Sequence, residues 1–180
     1  MEIVIIRHAK VNMRWEKAYD SKGFDSACCE YDTKEISDVS EKISNENNKN
    51  IVYISSLPRT YETACKLFDS EDFYKTSLIN EVPLRSFKDT NKKYPLWVWN
   101  IVGRLQWMFN NKRQIETRNE TIVRAHNAID IIESNNKDCF VITHGFYMMT
   151  LIKELRHRGY KIQKRHGAGI ANLEKIIASK

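Results

Sequence analysis

Apolar residues follow two rhythms along this chain. Ile3-Val4-Ile5-Ile6 is an unbroken, β-branched run, and "NIVYISS" (Asn50 to Ser56) and "DCFVITHG" (Asp138 to Gly145) repeat it. Short apolar runs without alternation predict strands covered on both faces, as in a parallel sheet. The two later runs lead directly into helical patterns. "PRTYETACKLF" starts at Pro58, a residue suited to a first helical turn, and "FYMMTLIKELRHR" starts at Phe146. Upstream, "TKEISDVSEKISNENN" sets Ile36, Val39 and Ile43 at helical spacing and predicts a helix before the second strand. "YKTSLINEVPL" reads as a short strand stopped by Pro83. "ETRNETIVRAHNAIDIIES" reads as a long amphipathic helix through Ile122, Ala125, Ile129 and Ile132, and "GIANLEKI" as a final strand.

Strands alternating with helices imply an α/β fold, a three-layer α/β/α sandwich around a mostly parallel central sheet. The 180 residues suit one domain, 1–180, with no repeat or linker. The unusual stretch is "YPLWVWNIVGRLQWMF", which holds three of the four tryptophans; it is expected to pack as core or to form a cap or lid insertion over 94–110.

Charge narrows the partners. Lysines and arginines outnumber acids by 29 to 23, a formal charge of +6, which favours anionic ligands. Cys28, Cys29, Cys65 and Cys139 contain no CxxC pair and no zinc-like spacing, so reduced thiols and a cytoplasmic location are expected. Residue 2 is Glu where a signal peptide wants cations, and no segment nears the roughly 20 apolar residues of a membrane span. No membrane partner is expected.

Sheets of this kind bind ligands beyond the carboxyl ends of their strands. Arg7-His8, Ser55-Ser56 and Thr143-His144-Gly145 all fall there, with Arg59 one turn into the following helix. That inventory suits a phosphoryl group. An imidazole can attack phosphorus, and guanidinium forks match its equatorial oxygens. A helix starting after His144-Gly145 is expected to add N–H donors for the phosphate. Glu81, at another strand end, is the candidate proton donor for the leaving oxygen, with Glu62 and Glu71 as fallback acids.

"RHAK" after a buried strand, "SSLPRTYETA", a Glu after the next strand and "VITHG" resemble the signature blocks of the histidine phosphatase superfamily, whose fold is phosphoglycerate mutase-like. "ETRNETIVR" is similar to that family's Glu-Ser-x-x-Asp-x-x-x-Arg helix. Four blocks in order, each in its strand-to-helix context, make a specific signal. The resemblance implies that His8 becomes phosphohistidine, that Arg7, Arg59 and His144 form the phosphate pocket, and that Glu81 is the acid and base. It implies no metal and no cofactor, and a small phosphorylated substrate.

Ala9 stands where the family's first block usually has glycine, a spelling common in the branch acting on phosphohistidine in proteins. Arg14 stands where mutase-like pockets usually carry Asn, with Asn12 nearby; Asn12, Arg14 and Gly145 are carried as candidate phosphate or substrate contacts. A second Arg-His-Gly at 165–167 follows no buried strand and is read as coincidence. His126 is assigned to packing, and His157 and His166 to a solvated basic face. Four readings remain in play. A phosphatase for small monoesters leads, followed by a protein-phosphohistidine phosphatase, a mutase-type phosphotransferase and a non-catalytic phospholigand-binding module. A nucleic-acid partner is not favoured: it rests on charge alone and predicts steep salt dependence. Oligomeric state is not written in any of these motifs.

Overall fold

Alternation of side chains along the first strand divides the interior into two layers. Ile3 and Ile5 join Val141, Ile176 and Ala178 against helices on one face of the sheet, while Ile6 joins Val52, Ile54, Phe140 and Ile142 on the other. The computed structural model describes residues 1–44, 50–68, 70, 72–164 and 171–180. Its elements run β1 (Glu2–Arg7), β2 (Ala18–Tyr19), α1 (Ser21–Thr33), β3 (Ile51–Ser55), α2 (Pro58–Leu67) and β4 (Tyr74–Thr76). After a 3₁₀ turn, Ser77–Ile79, come β5 (Tyr94–Pro95), α3 (Leu96–Met108), α4 (Arg118–Asn135), β6 (Cys139–Thr143), α5 (Gly145–His157), β7 (Lys161–Lys164) and β8 (Lys175–Ser179).

The central sheet has six strands in the order β4-β3-β6-β1-β8-β7. β4, β3, β6 and β1 pair in parallel, and β8 runs antiparallel to both β1 and β7. This is the expected mostly parallel sheet between helical layers. α4 and α5 supply Ala125, Ile129, Ile132, Leu151 and Leu155 to one face; α2 supplies Ala64 and Leu67 to the other. A smaller third cluster, Tyr19, Phe24, Ala27 and Trp99, binds α1 to α3 beyond the strand ends, with Phe24 and Trp99 stacked at 5.3 Å.

Four local expectations change. The helix expected around Ile36, Val39 and Ile43 is absent over the described part of that stretch. Ile36 instead forms a bridge with Val11, and Ile43 N–H donates to the Leu67 carbonyl at 2.8 Å. Tertiary contacts thus satisfy both its backbone and its apolar residues without a helical turn. A helix lies earlier, at α1, where the sequence reading assigned no element; the Asp20 carboxylate caps it by accepting from Gly23 N–H at 2.8 Å. The strand expected at Tyr74 yields after three residues, where the Thr76 hydroxyl accepts from Leu78 N–H and starts the 3₁₀ turn. The final strand begins only at Lys175, because Leu173 takes a left-handed φ of 60° and turns the chain back toward Arg7. The basic run after α5 contains β7, an edge strand on which Lys161 suits an unpaired margin. The second Arg-His-Gly, with His166, and the fallback acid Glu71 lie outside the described residues.

Candidate active site

The parallel register carries Arg7 of β1 level with Thr143 of β6, so the residues after both strands emerge side by side. His8 and His144 meet there with ring centroids 5.0 Å apart. His8, Arg59 and His144 are each 1% exposed or less.

Chemistry fixes the state of each imidazole. His8 Nδ1 lies 2.6 Å from the Ala9 carbonyl oxygen, which can only accept, so Nδ1 carries the proton. Nε2 is left as the basic lone pair, with no hydrogen-bond partner among the described residues. Burial, then the charges of Arg59 and Arg7, lower the His8 pKa to about 3 against the opposing effect of the Ala9 bond. His8 is therefore a neutral imidazole with its Nε2 lone pair available. At His144 the tautomer is reversed. Arg59 Nε–H donates to Nδ1 at 3.1 Å, which leaves Nε2–H to donate to the Ser55 hydroxyl at 2.8 Å. Burial and the Arg59 charge also hold His144 well below the usual imidazole range. Ser55 is held in turn by Leu57 N–H at 3.1 Å and by the Thr60 hydroxyl at 2.9 Å.

Arg59 is buried because three partners surround it. Besides His144, its Nη1 donates to Asp32 of α1 at 2.8 Å, and its guanidinium lies 5.1 Å from the Tyr31 ring centroid. Arg7 reaches the same locus by crossing Gly145: a Cβ there would stand 2.9 Å from Arg7 Nε and 3.0 Å from Cζ. Gly145 therefore makes room for the arginine. Ala9 fills its position at 1% exposure, its N–H donating to the Thr63 hydroxyl at 3.0 Å.

Glu81 occupies the place expected for phosphate at the start of α5. Its carboxylate accepts from Tyr147 N–H at 2.9 Å, Phe146 N–H at 3.3 Å and its neighbour Val82 N–H at 2.9 Å. The Phe146 and Tyr147 amides at that helix start are taken by the Glu81 carboxyl group, where the sequence reading expected donors to the ligand. Arg124 holds the loop before Glu81. Its Nη1 donates to the carbonyls of Leu78 at 3.0 Å and Asn80 at 2.8 Å, while Glu116 grips the other side of the guanidinium at 3.1 and 2.9 Å. Within the same block Thr117 and Glu120 form a capping box that starts α4. "ETRNETIVR" is thus a helix start and a clamp on the Glu81 loop.

A cavity of roughly 350 Å³ opens from Arg59 and Glu81 outward. Its walls are Trp15, Tyr31, Asp32, Val82, Pro83, Leu84 and Ile115, roofed by Asn100 and Arg104 of α3. Arg104 donates to the Val82 carbonyl at 3.0 Å and lies 3.8 Å over the Phe146 ring. Cys28 lines the cavity too, but burial and the charges of Asp25 and Asp32 push its thiol up to about 12, which leaves no thiolate at neutral pH.

The structure brings together Arg7, His8, Arg59, Glu81, His144 and Gly145. It leaves Asn12 exposed, its backbone tied to Glu35, and sets Arg14 in a separate cleft with Glu16, Tyr19 and Lys93. Glu62 accepts from Ile36 N–H and is not among the cavity's walls. His126 and His157 share the buried Glu154 carboxylate at 3.0 and 3.2 Å, away from the site. Tyr31, Asp32 and Arg104 were missed by sequence reasoning. Phe24, Ala27, Cys28 and Tyr31 stand at i, i+3, i+4 and i+7, the one signal that could have revealed α1 and its contribution.

The histidine phosphatase superfamily (branch 1) model matches residues 3–177. Among solved structures, an Entamoeba histolytica phosphoserine phosphatase, as an H9A mutant with phosphoserine, superposes with a TM-score of 0.51 at 15% identity over 99% of this chain and 95% of its own. A mycobacterial glucosyl-3-phosphoglycerate phosphatase gives 0.52 at 13% identity, covering 97% and 95%. At such identities the likeness is one of fold. A comparison with curated protein sequences finds no match. With its signature blocks in order and the family pattern running through almost its whole length, the chain belongs to the histidine phosphatase superfamily, branch 1.

Proposed function

We propose that this protein is a metal-independent phosphatase that hydrolyses small phosphate monoesters through a phosphohistidine at His8. The observation that carries the reading is the His8–Ala9 bond of 2.6 Å, which commits the ring proton to Nδ1 and leaves Nε2 free between two arginines and a second histidine. In the first step the Nε2 lone pair bonds to phosphorus as the bond to the ester oxygen breaks, and that oxygen takes a proton from Glu81. In the second, water bonds to phosphorus and gives a proton to Glu81 as the N–P bond breaks. Inorganic phosphate leaves and His8 is again neutral. Arg7 and Arg59 meet the charge spread over the phosphoryl oxygens, the part for which other phosphoryl-transfer enzymes recruit metal ions. His144 turns toward the ligand when an incoming oxygen replaces it as the acceptor of Arg59 Nε–H.

The cavity supports a small ester over a protein substrate, since its roughly 350 Å³ beside Arg59 and Glu81, lined also by Asn100 and Arg104 of α3, suits a small leaving group. Those neighbours that carry phosphoserine and glucosyl-3-phosphoglycerate in their names are consistent with that size class. The RHAK spelling favours the protein-phosphohistidine alternative, against which Glu81 stands: an N–P bond needs less acid help. The test is phosphate release from an aryl phosphate with and without EDTA. Activity should survive EDTA and vanish in His8→Ala, and acid-labile phosphate should be trapped on the intact protein. Turnover confined to phosphohistidine proteins would move the assignment to the alternative, and phosphate binding with no turnover on either would make the protein a binding module.

A further inference from the structure

One face of α3 is left exposed by the described residues. Trp97, Ile101, Leu105, Met108 and Phe109 are all exposed, from 42% at Met108 to 75% at Phe109, although Trp99, Gly103 and Trp107 on the opposite side are buried. At about 100° per residue the five exposed residues fall within an arc of roughly 120°, so they form one continuous stripe. Single exposed apolar residues need no explanation, but a tryptophan, a phenylalanine and three aliphatic side chains on one face do.

The charges around the stripe select its occupant. No acidic residue occurs between Asp89 and Glu116, whereas Lys92, Lys93, Arg104, Lys112 and Arg113 do. Arg113 is paired with Asp89 at 2.6 Å and Arg104 is turned inward to Val82. Lys92 and Lys93 flank the N-terminal end of the helix, where the ammonium groups of Lys88 and Lys92 gather at 4.7 and 5.7 Å from the Tyr94 ring. Lys112 flanks the other end. A second copy of the chain is a poor occupant: in either orientation the two stripes would press lysine against lysine, while Asp89 is already paired with Arg113 and Glu120, the acid beside Lys112, is held in the Thr117 capping box. An anionic lipid surface fits both features at once. Apolar side chains enter the acyl boundary while cations at both helix ends meet the headgroups.

We infer that α3 is an interfacial helix that docks this protein on anionic bilayers through Trp97, Ile101, Leu105, Met108 and Phe109, with Lys92, Lys93 and Lys112 at headgroup level. No described helix is long and apolar enough to cross a membrane, so the contact is peripheral. It goes beyond the expectation of no membrane partner, which was argued from the lack of a spanning segment and of a signal peptide. The arc of α3 carrying Asn100 and Arg104 adjoins the stripe, so the cavity opens beside the docked face.

The experiment is co-sedimentation of the full chain with vesicles of phosphatidylcholine alone or mixed with phosphatidylglycerol, at low and high salt. The intact protein should pellet with the anionic vesicles at least about tenfold more strongly than with the neutral ones, and release as salt rises. A Trp97→Ser, Ile101→Ser, Phe109→Ser variant and a Lys92→Gln, Lys93→Gln, Lys112→Gln variant should each lose about tenfold. The lysine variant touches only exposed side chains, so its loss is not a folding defect. His8→Ala should bind as the intact protein does, which separates this result from the phosphatase reading. Failure to pellet, equal pelleting on both vesicle types, or a dimer by light scattering that the apolar variant splits would each overturn the inference.

Discussion

Gly145 and Arg7 are in contact across the space where a side chain would begin: a Cβ on residue 145 would lie 2.9 Å from Arg7 Nε. The glycine opens α5 and at the same time lets the guanidinium cross to the phosphate site proposed above. Gly145→Ala should therefore separate two properties. Helix propensity favours alanine by up to about 1 kcal/mol, so stability should hold or rise. The displaced arginine should cost about 10- to 100-fold in kcat/KM, as misplacing a catalytic group does. Thermal melts beside aryl phosphate kinetics check both signs.

Asp32 competes for Arg59 with any incoming anion. The guanidinium is buried and the carboxylate half exposed, so their 2.8 Å pair offsets part of the cost of burying Arg59, and an amide at 32 keeps an oxygen that can still accept from it. Asp32→Asn should leave the melting temperature within a few degrees and tighten inorganic phosphate, measured as a competitive inhibitor, by about threefold to tenfold. Weaker phosphate binding would mean that Asp32 orients Arg59 instead of competing for it.

Acid should unfold this protein through its two site histidines. The folded pKa of His8 is near 3, against an ordinary value of 6.5, and that of His144 is shifted in the same direction. Protonation therefore favours the unfolded chain. The stability conferred by neutral His8 is fully present above about pH 6.5 and lost as the pH falls toward 3, at up to about 1.4 kcal/mol per pH unit. Denaturant titrations between pH 7 and 4 should show a shallower decline for His8→Gln than for the intact protein. kcat/KM should show no inflection near 6.5 from the nucleophile, since His8 is already neutral there.

Arg124 and Glu116 are both mostly buried and meet through two hydrogen bonds. Arg124→Met should destabilise the fold by about 2–4 kcal/mol, because it strands the Glu116 carboxylate and releases the Leu78 and Asn80 carbonyls. Adding Glu116→Leu should recover part of that loss. A double-mutant cycle in urea measures the coupling, and additive losses would show that the pair is not a clamp.

What could be read in advance follows from how far each residue's partners lie along the chain. β1, β3 and β6 announce themselves because a strand buried on both faces has no room for polar residues, and Arg7, His8 and His144 stand out as the places where those runs break. Arg59 was legible from Pro58 and the helix it starts. Local pattern misled at Ile36, Val39 and Ile43: Val39 and Ile43 pack against α2 and the sheet, while Ile36 bridges to Val11. Tyr31, Asp32 and Arg104 were out of reach. Each acts on the site from 22 or more residues away along the chain, through contacts such as Arg59–Asp32 and Arg104–Val82 that exist only once the fold has formed. Arg14 was singled out by its distance from His8, with Asn12 as its neighbour, and spacing alone could not show that the chain there pairs with residues 35–37.

The carboxylate of Glu81 is bonded to the amides that begin α5. Those bonds tie the first turn of the helix that follows His144 to a side chain borne by a distant loop. Amide exchange at Phe146 and Tyr147 therefore reports whether Glu81 is docked, and should quicken in Glu81→Ala with no substrate present.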